Sequence, residues 1–189
     1  HDGGTDDLSA SDLEPPGQVQ DASRLQALIA SAQRLSGQSG DPKLAALIQH
    51  VGQLLRDGYH PVVFCRYIAT AHYVATHLKA QFANVTIEAI TGELTPEERR
   101  ERVEDMGEAD RRILVATDCL SEGINLQSDF DAVVHYDLCW NPTRHEQREG
   151  RVDRFGQKTT EVRVLTFYGR DNPIDGVILD VLLRKHKSI

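Results

Sequence analysis

The sequence predicts an α/β fold: a mostly parallel central sheet with helices on both faces. Two observations carry this. From Asp41 onward, short apolar runs alternate with helix-length amphipathic stretches. The runs themselves, such as Val62-Val63-Phe64-Cys65 and Arg112–Ala116 (RILVA), are continuously apolar, the pattern of strands covered on both faces.

Residues 1–20 are rich in Gly, Ser, Asp and Pro, with Pro15-Pro16-Gly17 as punctuation, and are expected to be an acidic linker or disordered tail. Residues 21–40 are expected to be a helix and linker leading into the main domain. Leu25, Leu28, Ile29 and Leu35 approach a helical stripe, and Ser36-Gly37-Gln38-Ser39-Gly40 ends it. Residues 41–189 form the main domain. Asp41 is suited to an N-cap and Pro42 to the first helical turn; Leu44, Leu47, Ile48, Val51, Leu54 and Leu55 then line one face, and Gly58 closes the helix. A strand at Val62–Cys65 is followed by a helix at Ile68–Phe82, with Tyr73 and His77 expected inward. Next come a strand at Val85–Ile90, a helix opened by the capping box Thr95-Pro96-Glu97-Glu98, and strands at Arg112–Ala116 and Asp131–Tyr136. Asn141-Pro142 opens a helix over Thr143–Arg151. A strand at Glu161–Tyr168 and a helix at Ile174–Lys187 complete the series.

With 189 residues and 40% hydrophobic content, the chain can bury a core without staples. No apolar run reaches the ~18–20 residues of a membrane span, and the acidic N-terminus does not resemble a signal peptide. A membrane partner is not expected. The chain begins at His1 and reads as part of a longer protein. Cys65, Cys119 and Cys139 sit in apolar stretches at no metal-ligand spacing and are expected to be buried thiols. The eight histidines are scattered, and no metal site is expected. The net charge of −8 is uneven: residues 1–21 hold six acids and no Lys or Arg, leaving 23 of the 29 acids against 21 basic residues. A near-neutral body of this kind is compatible with a basic groove.

In parallel sheets, ligands gather at the carboxyl ends of the strands. Two segments there carry chemistry. His145–Gln157 (HEQREGRVDRFGQ) holds Arg151 and Arg154 three apart. If both are helical they share a face and can converge on a multiply charged anion; on spacing alone, a solvated face of Arg–Glu pairs is the leading reading. Ala116–Gln127 (ATDCLSEGINLQ) follows a buried strand and places Thr117, Asp118, Gly123 and Asn125 in one loop, which alone reads as an ordinary strand-to-helix connection.

Together these segments resemble superfamily 2 helicases. Gln147-x-x-Gly150-Arg151-x-x-Arg154 resembles their motif VI, and Ala116-Thr117-Asp118 with Glu122-Gly123-Ile124-Asn125 their motif V. Val62–Arg66 resembles motif IV, and Ile90-Thr91-Gly92 the segment after it. Asp137, Trp140-Asn141-Pro142 and Arg154-Phe155-Gly156-Gln157 are similar to the Swi/Snf-like branch, including RapA-type proteins. The resemblance covers about Asp41–Tyr168. It implies a RecA-like, P-loop-NTPase-type fold and the role of helicase C-terminal lobe.

By that resemblance, Arg151 and Arg154 are the arginines that reach the nucleotide, with Arg154 favoured as the finger. Gln147, Gly150, Gly123 and Asn125 face the nucleotide. Arg66, Thr91, Gly92, Thr117 and Asp118 lie along the nucleic-acid backbone. The implied cofactors are ATP and Mg²⁺, bound mainly by a first RecA-like lobe of the same protein. The implied partner is nucleic acid, with DNA expected ahead of RNA and duplex translocation ahead of strand separation, in the cytoplasm. The chain has neither G-x-x-x-x-G-K-[ST] nor an Asp-Glu dipeptide, so it lacks Walker A and B boxes and is expected not to hydrolyse ATP alone. The rival expectation is a non-catalytic RecA-like docking module. A Rossmann enzyme is not supported, because no G-x-G-x-x-G follows the first strand. Trp140, His145, Arg99 and Arg100 are expected to be a packing residue, a surface histidine and a solvated charged face.

Overall fold

The computed structural model describes residues 22–121, 124–139, 141–157, 159–170 and 172–186. The tail expected over 1–20 lies outside them, as do Gly123 and Trp140. The elements run α1 (Ala22–Arg34), α2 (Pro42–Arg56), β1 (Pro61–Phe64), α3 (Ile68–Gln81), β2 (Thr86–Ile90), α4 (Pro96–Gly107) and β3 (Arg112–Ala116). A 3₁₀ turn (Asp118–Ser121), β4 (Ala132–His135), α5 (Pro142–Val152), β5 (Arg163–Thr166) and α6 (Pro173–His186) follow.

The five strands form one parallel sheet in the order β2-β3-β1-β4-β5. The period of two along each strand divides the core. Val63, Cys65, Val115 and Val134 face one side, where Leu44, Leu47 and Val51 of α2 and Val74 and Leu78 of α3 cover them. Val62, Phe64, Leu114, Ala116 and Val133 face the other, with Val103 and Met106 of α4 and Val152 of α5. Each Val, Leu, Phe or Met side chain among these taken fully out of water stabilises the fold by about 1.5–3 kcal/mol. β5 is the exception: an edge strand, its residues are exposed or half-buried, and it is four residues long where the apolar run suggested eight.

The caps form as the residue types dictate. Asp41 accepts from Leu44 N–H at 3.0 Å with Pro42 behind it, and Thr95 and Glu98 make a reciprocal capping box. Asn141 accepts from Thr143 N–H at 3.0 Å and opens α5 one residue early, at Pro142. Gly58 takes φ +88° just past the end of α2, a conformation that favours glycine. Tyr73 and His77 are half-buried rather than core: their rings pack edge-to-face at 4.6 Å, and the Tyr73 hydroxyl receives Gly37 N–H and donates to Asp41. Among the described residues, no helix is long and apolar enough to cross a membrane.

Candidate functional site

Parallel strands bring their carboxyl ends to one edge. Phe64 and Ile90 both pair with Ala116, so Cys65, Thr117 and Thr91 form the next row across three neighbouring strands, with Arg66 one residue beyond. Strands lie about 4.8 Å apart, so Thr91, Thr117 and Cys65 form a contiguous row along this edge, and Arg66 extends it by one residue. The hydroxyls of Thr91 and Thr117 turn inward. Thr117 is 0% exposed and bonds Cys119 Sγ at 3.4 Å, and Thr91 is buried against Glu93. Gly92 and the Arg66 side chain are the half-buried members of the row.

Arg99 holds this edge together. It was expected on a solvated face with Arg100, but its guanidinium donates to the carbonyls of Leu94 (2.9 Å), Cys119 (3.0 Å) and Gly92 (3.4 Å). These carbonyls have no intra-sheet partner, and one planar cation supplies donors to all three. Beyond Arg66, Asp137 accepts from Arg66 N–H at 3.0 Å and from Lys43 Nζ at 2.7 Å, on the wall of a cleft of about 570 Å³.

Helix α5 carries the second cluster. Its buried face is His145, Arg148 and Val152, at the three- and four-residue spacing of one helical stripe. Arg148 is 2% exposed. It grips Asp118 through Nε at 2.7 Å and Nη2 at 3.0 Å, while Arg144 reaches the same carboxylate at 3.2 Å. Burial alone would push the Asp118 carboxyl up; the two guanidiniums outweigh it and hold it below the usual range. Asp118, expected along the nucleic-acid backbone, therefore has its carboxylate committed to α5.

His145 is the clearest correction. It was expected at the surface and is 3% exposed, 4.4 Å from the His135 ring. Burial lowers both imidazoles, His145 to about 4, so both are neutral near pH 7. Their partners fix the tautomers: His135 Nε2 donates to Glu149 at 3.0 Å, and His145 Nε2 accepts Cys139 N–H at 3.2 Å. Donor atoms of His135, His145 and Glu149 lie within 4.8 Å of one another, a gathering that no sequence spacing announced. With these bonds in place the trio is a polar brace between β4 and α5. His135 Nδ1 is buried without a hydrogen-bond partner.

The opposite face of α5 presents Gln147 and Gly150, both exposed, with half-buried Arg151 beside them. A Cβ added at Gly150 would meet nothing within 4 Å, so nothing in this lobe requires a glycine there. Arg154 does not share the helical face of Arg151. The helix ends at Val152 with Asp153 as its cap, and Arg154 is exposed on the following turn. Gly156 at φ +98° and Gln157, which donates to Phe130 and Val152 carbonyls at 2.9 and 2.8 Å, secure that turn. Two arginines thus stand near the end of α5 on different local frames. Asn125 is exposed in the loop that follows β3 and its 3₁₀ turn.

Sequence reasoning missed Arg148, the brace and the Arg99 clamp. The signal for Arg148 was present: with His145 and Val152 it completes an inward stripe on a helix that carries no other apolar face.

The comparisons agree with this architecture. The family model described as "Helicase conserved C-terminal domain" matches residues 42–156, more than half of the chain. An ATP-dependent RNA helicase eIF4A of Scheffersomyces stipitis is 35% identical over 105 residues, covering 56% of this chain and 26% of that protein. An ATP-dependent RNA helicase FAL1 of Candida albicans is 31% identical over 105 residues, with coverages of 56% and 26%. The matched region thus spans about a quarter of the length of these relatives. Among solved structures, domain 2 of the DEAD-box helicase Mss116p bound to an RNA duplex superposes with a TM-score of 0.66 at 20% identity, covering 78% of this chain and 56% of that one. The Sulfolobus solfataricus SWI2/SNF2 ATPase core in complex with double-stranded DNA gives 0.64 at 20% identity, covering 80% and 31%. Both structural likenesses show the RecA-like fold. With its parallel sheet, its motif-bearing strand ends and the match over residues 42–156, the chain belongs to the helicase conserved C-terminal domain family.

Proposed function

We propose that this chain is the second motor lobe of an ATP-dependent helicase or translocase. It would supply arginines to a nucleotide held mainly by another lobe, and part of the nucleic-acid track. One observation carries the reading: α5 buries His145, Arg148 and Val152 and turns Gln147, Gly150 and Arg151 outward, with Arg154 on the turn beyond. That side fits a multiply charged anion, since guanidinium forks match phosphate oxygens and a bare glycine lets a ligand approach the backbone. The bound nucleotide would supply the phosphoryl bond that is broken. The chain's own residues would stabilise charge as it develops, Arg154 as the finger with Arg151 beside it, and Asn125 and Gly123 would face the same ligand. Closure of the two lobes would bring these groups in, and reopening would shift the lobe along the strand. Thr91, Gly92, Thr117 and Arg66 would lie along the backbone of that strand.

The finer reading of a Swi/Snf-like double-stranded DNA translocase rests on Trp140-Asn141-Pro142 and Arg154-Phe155-Gly156-Gln157. Against it stand the curated relatives, which are RNA helicases. A cytoplasmic location belongs to the same proposal and is supported by three buried cysteines that form no disulfide. The test is nucleic-acid-stimulated ATPase of a protein carrying both lobes, beside Arg154→Ala and Arg151→Ala. Loss of ~10³-fold or more in kcat with the fold intact is expected of the finger. Unchanged ATPase in both variants would overturn the motor reading and favour a docking module. The isolated chain is expected to show no turnover.

A further inference from the structure

The row of strand ends proposed as a nucleic-acid track contains an exposed carboxylate that phosphate contact alone cannot explain. Glu93 follows Thr91-Gly92 directly, and its side chain is 59% exposed. One oxygen, Oε2, is pinned twice: His72 Nε2 of α3 lies at 2.7 Å and Thr91 Oγ1 donates at 3.1 Å. Glu93 N–H in turn donates to Thr91 Oγ1 at 3.4 Å, so the carboxylate is tied to the loop at both ends. Oε1 has no hydrogen-bond partner among the described residues. The bonds from His72 and Thr91 hold the carboxyl below its ordinary value, so it is ionised at neutral pH. An anion fixed beside a phosphate path repels DNA and RNA backbones alike. What distinguishes the two backbones is the hydrogen-bond donor: deoxyribose and phosphate offer acceptors only, whereas every ribose carries a 2′-hydroxyl that can donate.

We infer that Glu93 is a sugar-selecting residue, its Oε1 accepting the ribose 2′-hydroxyl of an RNA strand that runs over Thr91-Gly92. The inference rests on the proposed nucleic-acid track and deepens it. His72 and Thr91 orient the carboxylate, so the acceptor is in place before RNA arrives. DNA at the same position meets the charge with nothing to donate. A role limited to shaping the loop would treat the two nucleic acids equally.

The test is binding to the whole 189-residue chain of a single strand of one sequence, prepared as RNA, as 2′-O-methyl RNA and as DNA. The 2′-O-methyl strand keeps an RNA-like sugar conformation and lacks the donor. RNA is expected to bind about five- to tenfold more tightly than either, the scale of one exposed bond to a charged acceptor. Glu93→Ala is expected to bring the three affinities to within about twofold by weakening RNA and strengthening DNA. Glu93→Gln, which keeps an acceptor and loses the charge, is expected to fall between. Thermal melts of both variants check the fold. A wild-type preference for RNA that Glu93→Ala leaves unmoved, or equal binding of all three strands by the wild type, overturns the inference and spares the track. Binding of no strand, or binding that Arg66→Ala leaves unchanged, overturns the track itself and the inference with it.

Discussion

Removing the Arg148 guanidinium tests whether the loop after β3 and helix α5 form one mechanical unit. In Arg148→Met the side chain keeps its length and its packing near Phe64, whose ring centroid lies 5.2 Å from the guanidinium carbon. Asp118 then loses bonds of 2.7 and 3.0 Å and retains only Arg144 at 3.2 Å. Breaking one side of a buried pair costs about 3–5 kcal/mol. The Asp118 side chain is 20% exposed and keeps one partner, so the cost is expected at or below the lower end of that range, about 2–4 kcal/mol. Domain stabilities of about 5–15 kcal/mol make this a large fraction of the whole. Urea denaturation followed by circular dichroism reads it as a midpoint shift of roughly 1–2 M. The companion is Asp118→Leu combined with Arg148→Met. With neither charge left unpaired, the double variant is expected to be more stable than the Arg148→Met single. A single variant within about 0.5 kcal/mol of wild type, or a double variant equal to the sum of the singles, would falsify the claim that this pair binds the loop to the helix.

Two further outcomes follow from the same region. Between pH 6.5 and about 4, the unfolded chain takes up a proton that His145 refuses in the fold. Its contribution is therefore complete above pH 6.5 and falls by about 1.4 kcal/mol per unit below it. His60 acts with the opposite sign, because the Asp131 carboxylate, 3.8 Å from Nδ1, raises it, so its stabilisation is present at low pH and lost as pH rises. The informative quantity is thus the difference in urea midpoint between wild type and His145→Gln at pH 7 and pH 5, and an identical pH dependence in the two proteins would refute the burial argument. Gly150→Ala adds a methyl group into open space within a helix and is expected to stabilise the isolated chain by about 0.5–1 kcal/mol. A loss of stability would mean that the fold itself needs the glycine.

Much of the fold was legible because burial on both faces leaves a plain trace: Arg112–Ala116 was bounded to the residue, and Asp41, Thr95 and Asn141 cap helices as their side-chain chemistry dictates. Edge strand β5 was overdrawn because its apolar run continues past the residues that pair. The site was legible as motifs and poorly legible as geometry. The helix expected over Thr143–Arg151 already left Arg154 beyond its end, but nothing local reveals how the turn after Asp153 sets it relative to Arg151. Arg148, His135 and Glu149 escaped for a different reason. Each reads as an ordinary polar residue until the strand order places β4 beside β1 and turns α5 so that its polar stripe faces inward. Arg99 looked solvated because its acceptors are carbonyls, and every sequence has carbonyls everywhere.

The polarity of that stripe bears on how the arginines are aimed. An apolar stripe holds a helix against a sheet without direction: Leu or Val in the same positions would tolerate a small rotation about the helix axis. α5 instead faces the core with Arg148 on Asp118, Glu149 under His135, and His145 under Cys139 N–H. These bonds point to three different segments: the turn after β3, β4 itself and the loop leading into α5. Each has an angular optimum, and a rotation that keeps one bond breaks another. Burying such groups costs stability that an apolar face would not, and the partnerless His135 Nδ1 shows part of that cost. What is gained is orientation: the backbone position from which Arg151 projects, one residue past Gly150 on the same helix, is held in rotation relative to the sheet. In the proposed motor, a lobe built this way would bring its arginines in by moving as a whole, and the motion of such a cycle would belong to the contact between lobes, not to α5 within this one.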